Sequence, residues 1–314
     1  MHLVIGALGY AGRHAVAALR ESAHVRTAEL SDDLARAMNG VEVVHVAHEI
    51  RSPLERPRGR TPHPRLVSLV NLARDAGVRR LVFLSSSCVY GSDREGRVSE
   101  RAPLRPEHAY GRALLADETW LRELDRPDVV VLRPAQGFGP DESVSGRLFH
   151  WMVVSGRIAV PGGGRAPRTF LAGPDLGRAF HAAALRGQPG TAYLLGGIRG
   201  SWRELLLAAS KTLRVGRRRV GRGSYDLAYL AAWSRLPRRR AARTCWPTPY
   251  VVDLLSRAQI VEDGWSRREL SWWPEVGAFE AGLLELPDWH PDTVADVEPG
   301  AVAWPEGAQR RLSS

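Results

Sequence analysis

Residues 81–118 read LVFLSSSCVYGSDREGRVSERAPLRPEHAYGRALLADE. The apolar run Leu81–Leu84 has the length and composition of a buried strand. It stops at three hydroxyls, Ser85, Ser86 and Ser87. About two dozen residues later, Tyr110 opens a helix that carries Leu114, Leu115 and Trp120. A hydroxyl at a strand's end facing a phenol on a helix is an arrangement for moving a proton. A phenol titrates near ~10, so at neutral pH it needs a nearby cation to act as a base. The residue four positions further along a helix shares its face, and here that residue is Leu114. Arg112, two positions along, points elsewhere and reads either as a substitute cation or as a solvated surface residue. The chain's one lysine is Lys211, about a hundred residues away.

Working outward, the chain opens on a short apolar strand, HLVI, followed by Gly6, Ala7, Leu8, Gly9, Tyr10, Ala11 and Gly12. Glycines at this spacing between a strand and a helix suit a chain that turns tightly and approaches a pyrophosphate. A helix over Ala15–Leu19, a strand over Val25–Leu30 and a short helix over Asp32–Asn39 come next. Val41–Ala47 is the next buried strand, with His48 and Glu49 at its carboxyl end, the edge where ligands sit in open α/β sheets. These two read either as acid/base groups of a site or as ordinary loop residues. Arg65–Ala76 reads as a helix closed by Gly77, Asp128–Pro134 as another buried strand, and Ser145–Ser155 as a helix.

These residues together resemble the extended short-chain dehydrogenases, the NAD-dependent epimerase/dehydratase family. That family reads SSS-x-VYG and then YGxSK; this chain reads SSSCVYG and then Tyr110, Gly111, Arg112, Ala113, Leu114. In the family the Ser and Tyr hold the reacting oxygen. The Lys lowers the phenol's pKa and binds the nicotinamide ribose. The resemblance implies that Ser86, Ser87 and Tyr110 are catalytic, aided by His48 or Glu49, and that Gly6, Gly9 and Gly12 form the dinucleotide turn. The G-x-x-G-x-x-G spacing, VLRP at 131–134, FGP at 138–140 and RRELSWWP at 267–274 all have counterparts in the family. The loop RIAVPGGGRAPRTF, Arg157–Phe170, is similar to the family's R-x-x-x-P-G-x-G-x-x-x-R-x-F, which implies a substrate-side, phosphate-binding role for Arg168.

The departures matter as much. At ordinary element lengths, the stretch between Gly12 and Val41 is short by one strand–helix pair. AELSDDLARAMNGVEVVHVA resembles the family's third strand together with the helix and strand after it, which assigns the loss to the second strand. Glu29, seventeen residues after Gly12, reads as the acid that meets the adenosine ribose or as a solvated edge residue. The expected fold is α/β, a Rossmann-like doubly wound parallel sheet shortened by about one strand–helix pair, with a smaller, mainly helical C-terminal substrate domain. Residues 1–140, with 167–200 returning to the sheet, form the first part. Residues 141–166 and 201–290 form the substrate region, and 291–314 a loose tail.

The net charge of +10 invites a nucleic-acid partner. Nearly all of it is Arg, however, and the runs Arg217–Arg222 and Arg238–Arg243 carry no recognised motif, so they read as solvated loops. No apolar run reaches the ~20 residues that span a membrane, and Cys88 and Cys245 make no disulfide or metal pattern. A cytoplasmic location without a signal peptide is expected. The family's helix pairing makes a homodimer the expected assembly. The apolar helix expected over Ser224–Leu236 resembles that of hydroxysteroid-dehydrogenase-like members and implies a greasy small-molecule substrate; the alternative is plain core packing. The missing Lys and the shortened adenosine side favour redox-neutral, cofactor-free chemistry: isomerisation, cyclisation or elimination on a small, mostly apolar carbonyl compound, in a secondary-metabolite setting. An NAD(P)-dependent oxidoreductase or epimerase with a non-standard site is the alternative, and a catalytically inactive binding protein the third.

Overall fold

The computed structural model describes residues 1–47, 50, 62–91, 96–139, 141–155, 157–212, 219–224, 226–228 and 248–284. The chain opens with β1 (His2–Ile5), α1 (Tyr10–Arg20) and β2 (Val25–Ala28). A single helical turn, α2 (Leu34–Ala37), comes after them. It is capped by Asp33, whose carboxylate accepts the Arg36 N–H at 3.1 Å. Next come β3 (Val43–Val46), α3 (Pro64–Asp75) and β4 (Arg80–Leu84). α3 ends as expected at Gly77, which adopts φ +70 while the Val78 N–H reaches back to the Ala73 carbonyl. After β5 (Arg97–Ser99) lie α4 (Ala109–Arg122) and β6 (Asp128–Pro134).

The second half runs through β7 (Gln136–Phe138), α5 (Ser145–Ser155), β8 (Arg157–Pro161) and β9 (Pro167–Ala172). It continues with α6 (Gly173–Arg186), β10 (Thr191–Leu195), β11 (Ile198–Ser201), α7 (Trp202–Thr212) and β12 (Arg219–Gly223). The described chain closes with α8 (Pro249–Ser256), β13 (Ile260–Glu262), α9 (Gly264–Leu270) and α10 (Phe279–Leu284).

Six strands form one parallel sheet in the order β2-β1-β3-β4-β6-β10. The chain leaves β1 toward β2 and then crosses back to β3 on the other side of β1. That reversal opens a crevice at the strands' carboxyl ends. The shortening is there: one strand, not two, stands outside β1. It pairs directly with β1, so the inner place is filled and the outer edge strand is what the chain lacks. The strand after α1 takes the free edge of β1 because its N–H and C=O groups need a ladder.

Both faces of the sheet are covered, as an all-parallel sheet requires. On one face Ala15 and Leu19 of α1 and Phe180 and Ala183 of α6 pack on Val82, Val130 and Leu132. On the other, Leu66, Leu69 and Val70 of α3 and Leu121 of α4 pack on Ile5, Val44, Phe83 and Val131. Each fully buried side chain of this size stabilises by about 1.5–3 kcal/mol. A third core joins Phe138, Phe149, Phe170, Trp202, Leu254 and Phe279, and the Trp202 indole donates to the Leu254 carbonyl at 2.8 Å.

Some expectations need correction. α1 begins at Tyr10 rather than Ala15, because the glycine turn feeds straight into it. Asp175 lies within the first turn of α6. Its carboxylate accepts the N–H groups of Glu275 and Val276, and its carbonyl accepts the Trp272 indole. The SWWP segment is thereby tied to α6. Residues 219–222 of the first arginine run form β12, paired with β8, rather than a loop. The second run, Cys245, most of the expected helix over Ser224–Leu236, and the tail lie outside the described residues.

Candidate functional site

A cavity of about 350 Å³ opens at the carboxyl ends of β1, β3, β4 and β6. Its wall includes Gly6 and Gly9 from the turn after β1, Ser85, Ser86 and Ser87 from the end of β4, and Tyr110 from α4. The glycine turn and the Ser/Tyr segment thus face one space.

The glycine turn is tight for a steric reason. Gly6 has φ +85, and a Cβ on Gly12 would sit 1.9 Å from the Gly6 carbonyl oxygen. Gly9 is roomier: a Cβ there would meet the same oxygen at 3.5 Å. Glu29, just past β2, is brought to this turn, where its Oε1 accepts the Leu8 N–H at 2.9 Å. His48 and Glu49 lie outside the described residues.

The three serines have separate tasks. Ser85 donates from a buried position to Glu118. Ser86 caps the short turn Ser87–Val89, its Oγ accepting the Cys88 N–H at 3.2 Å. Ser87 donates to Gln259 Oε1 at 3.2 Å. Tyr110 is buried on α4, and Leu114, one turn on, is buried beside it and lines the same cavity. Arg112 is exposed and donates to the Glu107 carbonyl at 2.7 Å, away from the cleft.

Arg168, in β9, also lines the cavity and is 4 % exposed. It donates to Gln259 Oε1 and to the Arg257 carbonyl, both at 3.0 Å, while its Nε is buried without a hydrogen-bond partner. Burial brings its pKa down to about 10.

Several residues of the site carried no local signal. Glu142, 8 % exposed, lines the cavity at the start of α5. Its Oε2 accepts the N–H groups of Val144 at 3.1 Å and Ser145 at 2.6 Å, and Ser143 donates to its Oε1 at 3.0 Å. Burial still raises its carboxyl above the ordinary range, against those hydrogen bonds. Behind the serines, Arg133 meets Glu118 through Nη2 at 2.5 Å and Nε at 3.0 Å, and donates to the Tyr90 hydroxyl at 2.8 Å. Burial works against the Arg133 charge, but the Glu118 carboxylate outweighs it and holds the guanidinium above its usual value. Glu118 lies two helical turns beyond Tyr110, a spacing that could have singled it out.

Tyr250, from α8, closes the wall. Its ring centroid lies 5.1 Å from that of Tyr110 and 5.8 Å from that of His108. A smaller cavity of about 60 Å³ lies beyond it, lined by Cys88, Glu107, His108 and Asp253. His108 Nε2 lies 2.8 Å from Asp253 Oδ2, at an angle bent away from hydrogen-bond geometry. Glu107, His108 and Asp253 bring ligand-type atoms within 4.8 Å of one another. Arg257 sits among them, 2.9 Å from Glu107 and 3.2 Å from Asp253, so the cluster is a charge network with its own cation. Among the described residues, no helix is long and apolar enough to cross a membrane.

Residues 42–196 match the model of the NAD dependent epimerase/dehydratase family. The chain is 28 % identical over 134 residues to a dTDP-D-glucose 4,6-dehydratase of Mus musculus, covering 41 % of this chain and 38 % of that protein. It is 34 % identical over 234 residues to an uncharacterized protein, y4nG, of Sinorhizobium fredii, covering 71 % of this chain and 56 % of that protein. The chain therefore spans well under two thirds of the length of both relatives. In fold it is similar to a UDP-glucuronic acid 4-epimerase from Bacillus cereus, solved with UDP-glucuronic acid and NAD. The TM-score is 0.67 at 17 % identity, over 94 % of this chain and 99 % of that one. Residues 42–196 therefore carry the domain of the NAD dependent epimerase/dehydratase family, and the six-stranded sheet has the fold of the extended short-chain dehydrogenases.

Proposed function

We propose that this chain is an acid/base enzyme of the epimerase/dehydratase type, redox-neutral overall, acting on a small molecule with an oxygen at the reacting carbon and an anionic group. The observation that carries this is the single cavity shared by the glycine turn, Ser86, Tyr110 and Arg168. Ser86 and Tyr110 are placed to hydrogen-bond an oxygen as charge develops on it, where fixed donors are worth most. Arg168, buried and with Nε unpartnered, supplies the charge that an anionic substrate group would meet. The apolar part of the wall, Leu84, Leu114 and Leu171 among it, excludes water from the reacting carbon.

The residues fit a nicotinamide dinucleotide. The backbone turns at Gly6 and Gly12 as close approach to a pyrophosphate requires, the N-terminus of α1 faces that turn, and Glu29, which accepts the Leu8 N–H of the turn, would in this reading accept ribose hydroxyls. When bound, such a cofactor supplies a hydride acceptor and donor. Titration of purified protein with NAD⁺, NADH, NADP⁺ and NADPH tests this; saturable micromolar binding that is lost in Gly9→Ala is the expected result. Leu114, an apolar side chain where the family holds an ammonium, favours a second function: the same Ser/Tyr chemistry without cofactor, as isomerase, cyclase or lyase. No binding of any of the four dinucleotides would select it. In either case Tyr110→Phe removes activity, whereas an inactive binding protein is indifferent to it. The assembly we propose is a homodimer, checked by sedimentation.

A further inference from the structure

Gln259 stands between α8 and β13 and lines both cavities of the cleft. Its backbone is laid along β9. Its N–H donates to the Pro167 carbonyl at 3.0 Å, and its carbonyl accepts the Thr169 N–H at 2.9 Å. Arg168, between those two residues, is thereby set opposite it. The amide then meets two donors with one oxygen. Oε1 accepts Ser87 Oγ at 3.2 Å and Arg168 Nη1 at 3.0 Å. A guanidinium only donates, so the end of the amide that faces it is the oxygen. Nε2 turns to the Ser87 carbonyl, at 3.5 Å. One atom of this segment therefore ties the serine turn after β4 to the cation of β9.

What the amide does not supply is charge. Among the described residues, the buried guanidinium meets two neutral oxygens, Gln259 Oε1 and the Arg257 carbonyl, and forms no ion pair. Its Nε is buried without a hydrogen-bond partner. Glutamate has the same length as glutamine and would neutralise Arg168 from the same place. The carboxylates of the small cavity, Glu107 and Asp253, pair with Arg257 instead. A buried cation without a counter-charge costs stability, and an anion arriving beside it offsets that cost.

We propose that Gln259 is the specificity-determining positioning residue of the anion site. It is a neutral amide that aims Arg168 and Ser87 while leaving the guanidinium charge for the oxyanion of a substrate, held one amide oxygen away from the serine turn. This rests on the anionic substrate group of the function proposed above.

The probe is phenyl phosphate, titrated by calorimetry into the full chain at about 0.15 M salt, which screens the surface arginines. Thermal midpoints are measured on the same proteins. Binding to the wild-type chain, and its loss in Arg168→Gln, are expected from the anion site itself. Gln259→Glu is expected to weaken binding at least about tenfold, because the new carboxylate neutralises Arg168, while the midpoint holds or rises. Gln259→Leu removes the acceptor without adding charge, so it is expected to lower the midpoint while weakening binding less. Binding and stability thus rank the two variants in opposite orders, which a merely structural amide does not do. Gln259→Glu binding as tightly as wild type, failing to fold, or ranking against Gln259→Leu in the same order on both measures overturns the proposal. No binding to the wild-type chain, or equal binding by Arg168→Gln, overturns the anion-site reading and this proposal with it, so the two failures are told apart. If Arg168→Gln does not fold, the ranking of the Gln259 variants still decides.

Discussion

Leu114 stands one helical turn beyond Tyr110 on α4, and both side chains are buried in the wall of one cavity. Leu114→Lys places an ammonium on the Tyr110 face. The Tyr110 phenol is expected to titrate about 1–3 units lower, as it does beside any close cation, and NADH is expected to bind more tightly. Tyrosine NMR and calorimetry measure the two effects; a phenol that does not move shows that the turn does not bring the ammonium within range.

The two glycines of the turn separate stability from binding. In Gly12→Ala the new Cβ collides with backbone at 1.9 Å, which a side-chain rotation cannot relieve. Overpacking of this kind costs about 1–3 kcal/mol, so a lowered thermal midpoint is expected along with lost dinucleotide binding. In Gly9→Ala the contact is 3.5 Å and the backbone φ is −76. Its midpoint is expected to be unchanged, with binding lost to the methyl group on the turn.

Glu118 and Arg133 form a buried pair, 1 % and 5 % exposed. Removing one partner leaves the other charged and unpaired, so Glu118→Ala or Arg133→Ala is expected to cost about 3–5 kcal/mol in urea unfolding. The double variant Glu118→Leu/Arg133→Met buries no charge and is expected to lose far less than the two singles combined. Equal losses in all three would contradict this account.

His14 reports on pH. It lies in the contact between α1 and α6, where burial lowers its pKa to about 4, with Arg13 adding to the effect. The folded value is below the unfolded 6.5, so the unfolded chain binds more protons between the two. Stability from this group is fully present above pH 6.5 and is lost as pH falls toward 4. The shift corresponds to at most about 3 kcal/mol. His45, buried against His2, is lowered in the same direction, by burial first. His14→Gln is expected to flatten the acid limb of a plot of stability against pH.

Local signals in the sequence went far. The strands of the sheet were legible because continuous apolar runs such as Val82–Leu84 and Val129–Leu132 have no other home than a sheet covered on both faces. The glycine turn and the Ser/Tyr pair were legible because each is a short-range pattern. The substitution at Leu114 was visible for the same reason. The missing strand could be counted from length alone. Its place could not, because which edge a strand joins depends on pairing with a segment elsewhere in the chain.

The linear sequence therefore determined the elements, their order and the two halves of the cleft, since helix period, strand length and turn residues act over a few positions. Only the tertiary structure decided who stands across from the serines. Gln259 meets Ser87 across 172 positions, Arg168 donates to Gln259 and to the Arg257 carbonyl, and Tyr250 is packed on Tyr110. Such contacts arise from the crossover that brings distant strand ends together, and burial then sets the charge each of those groups can carry.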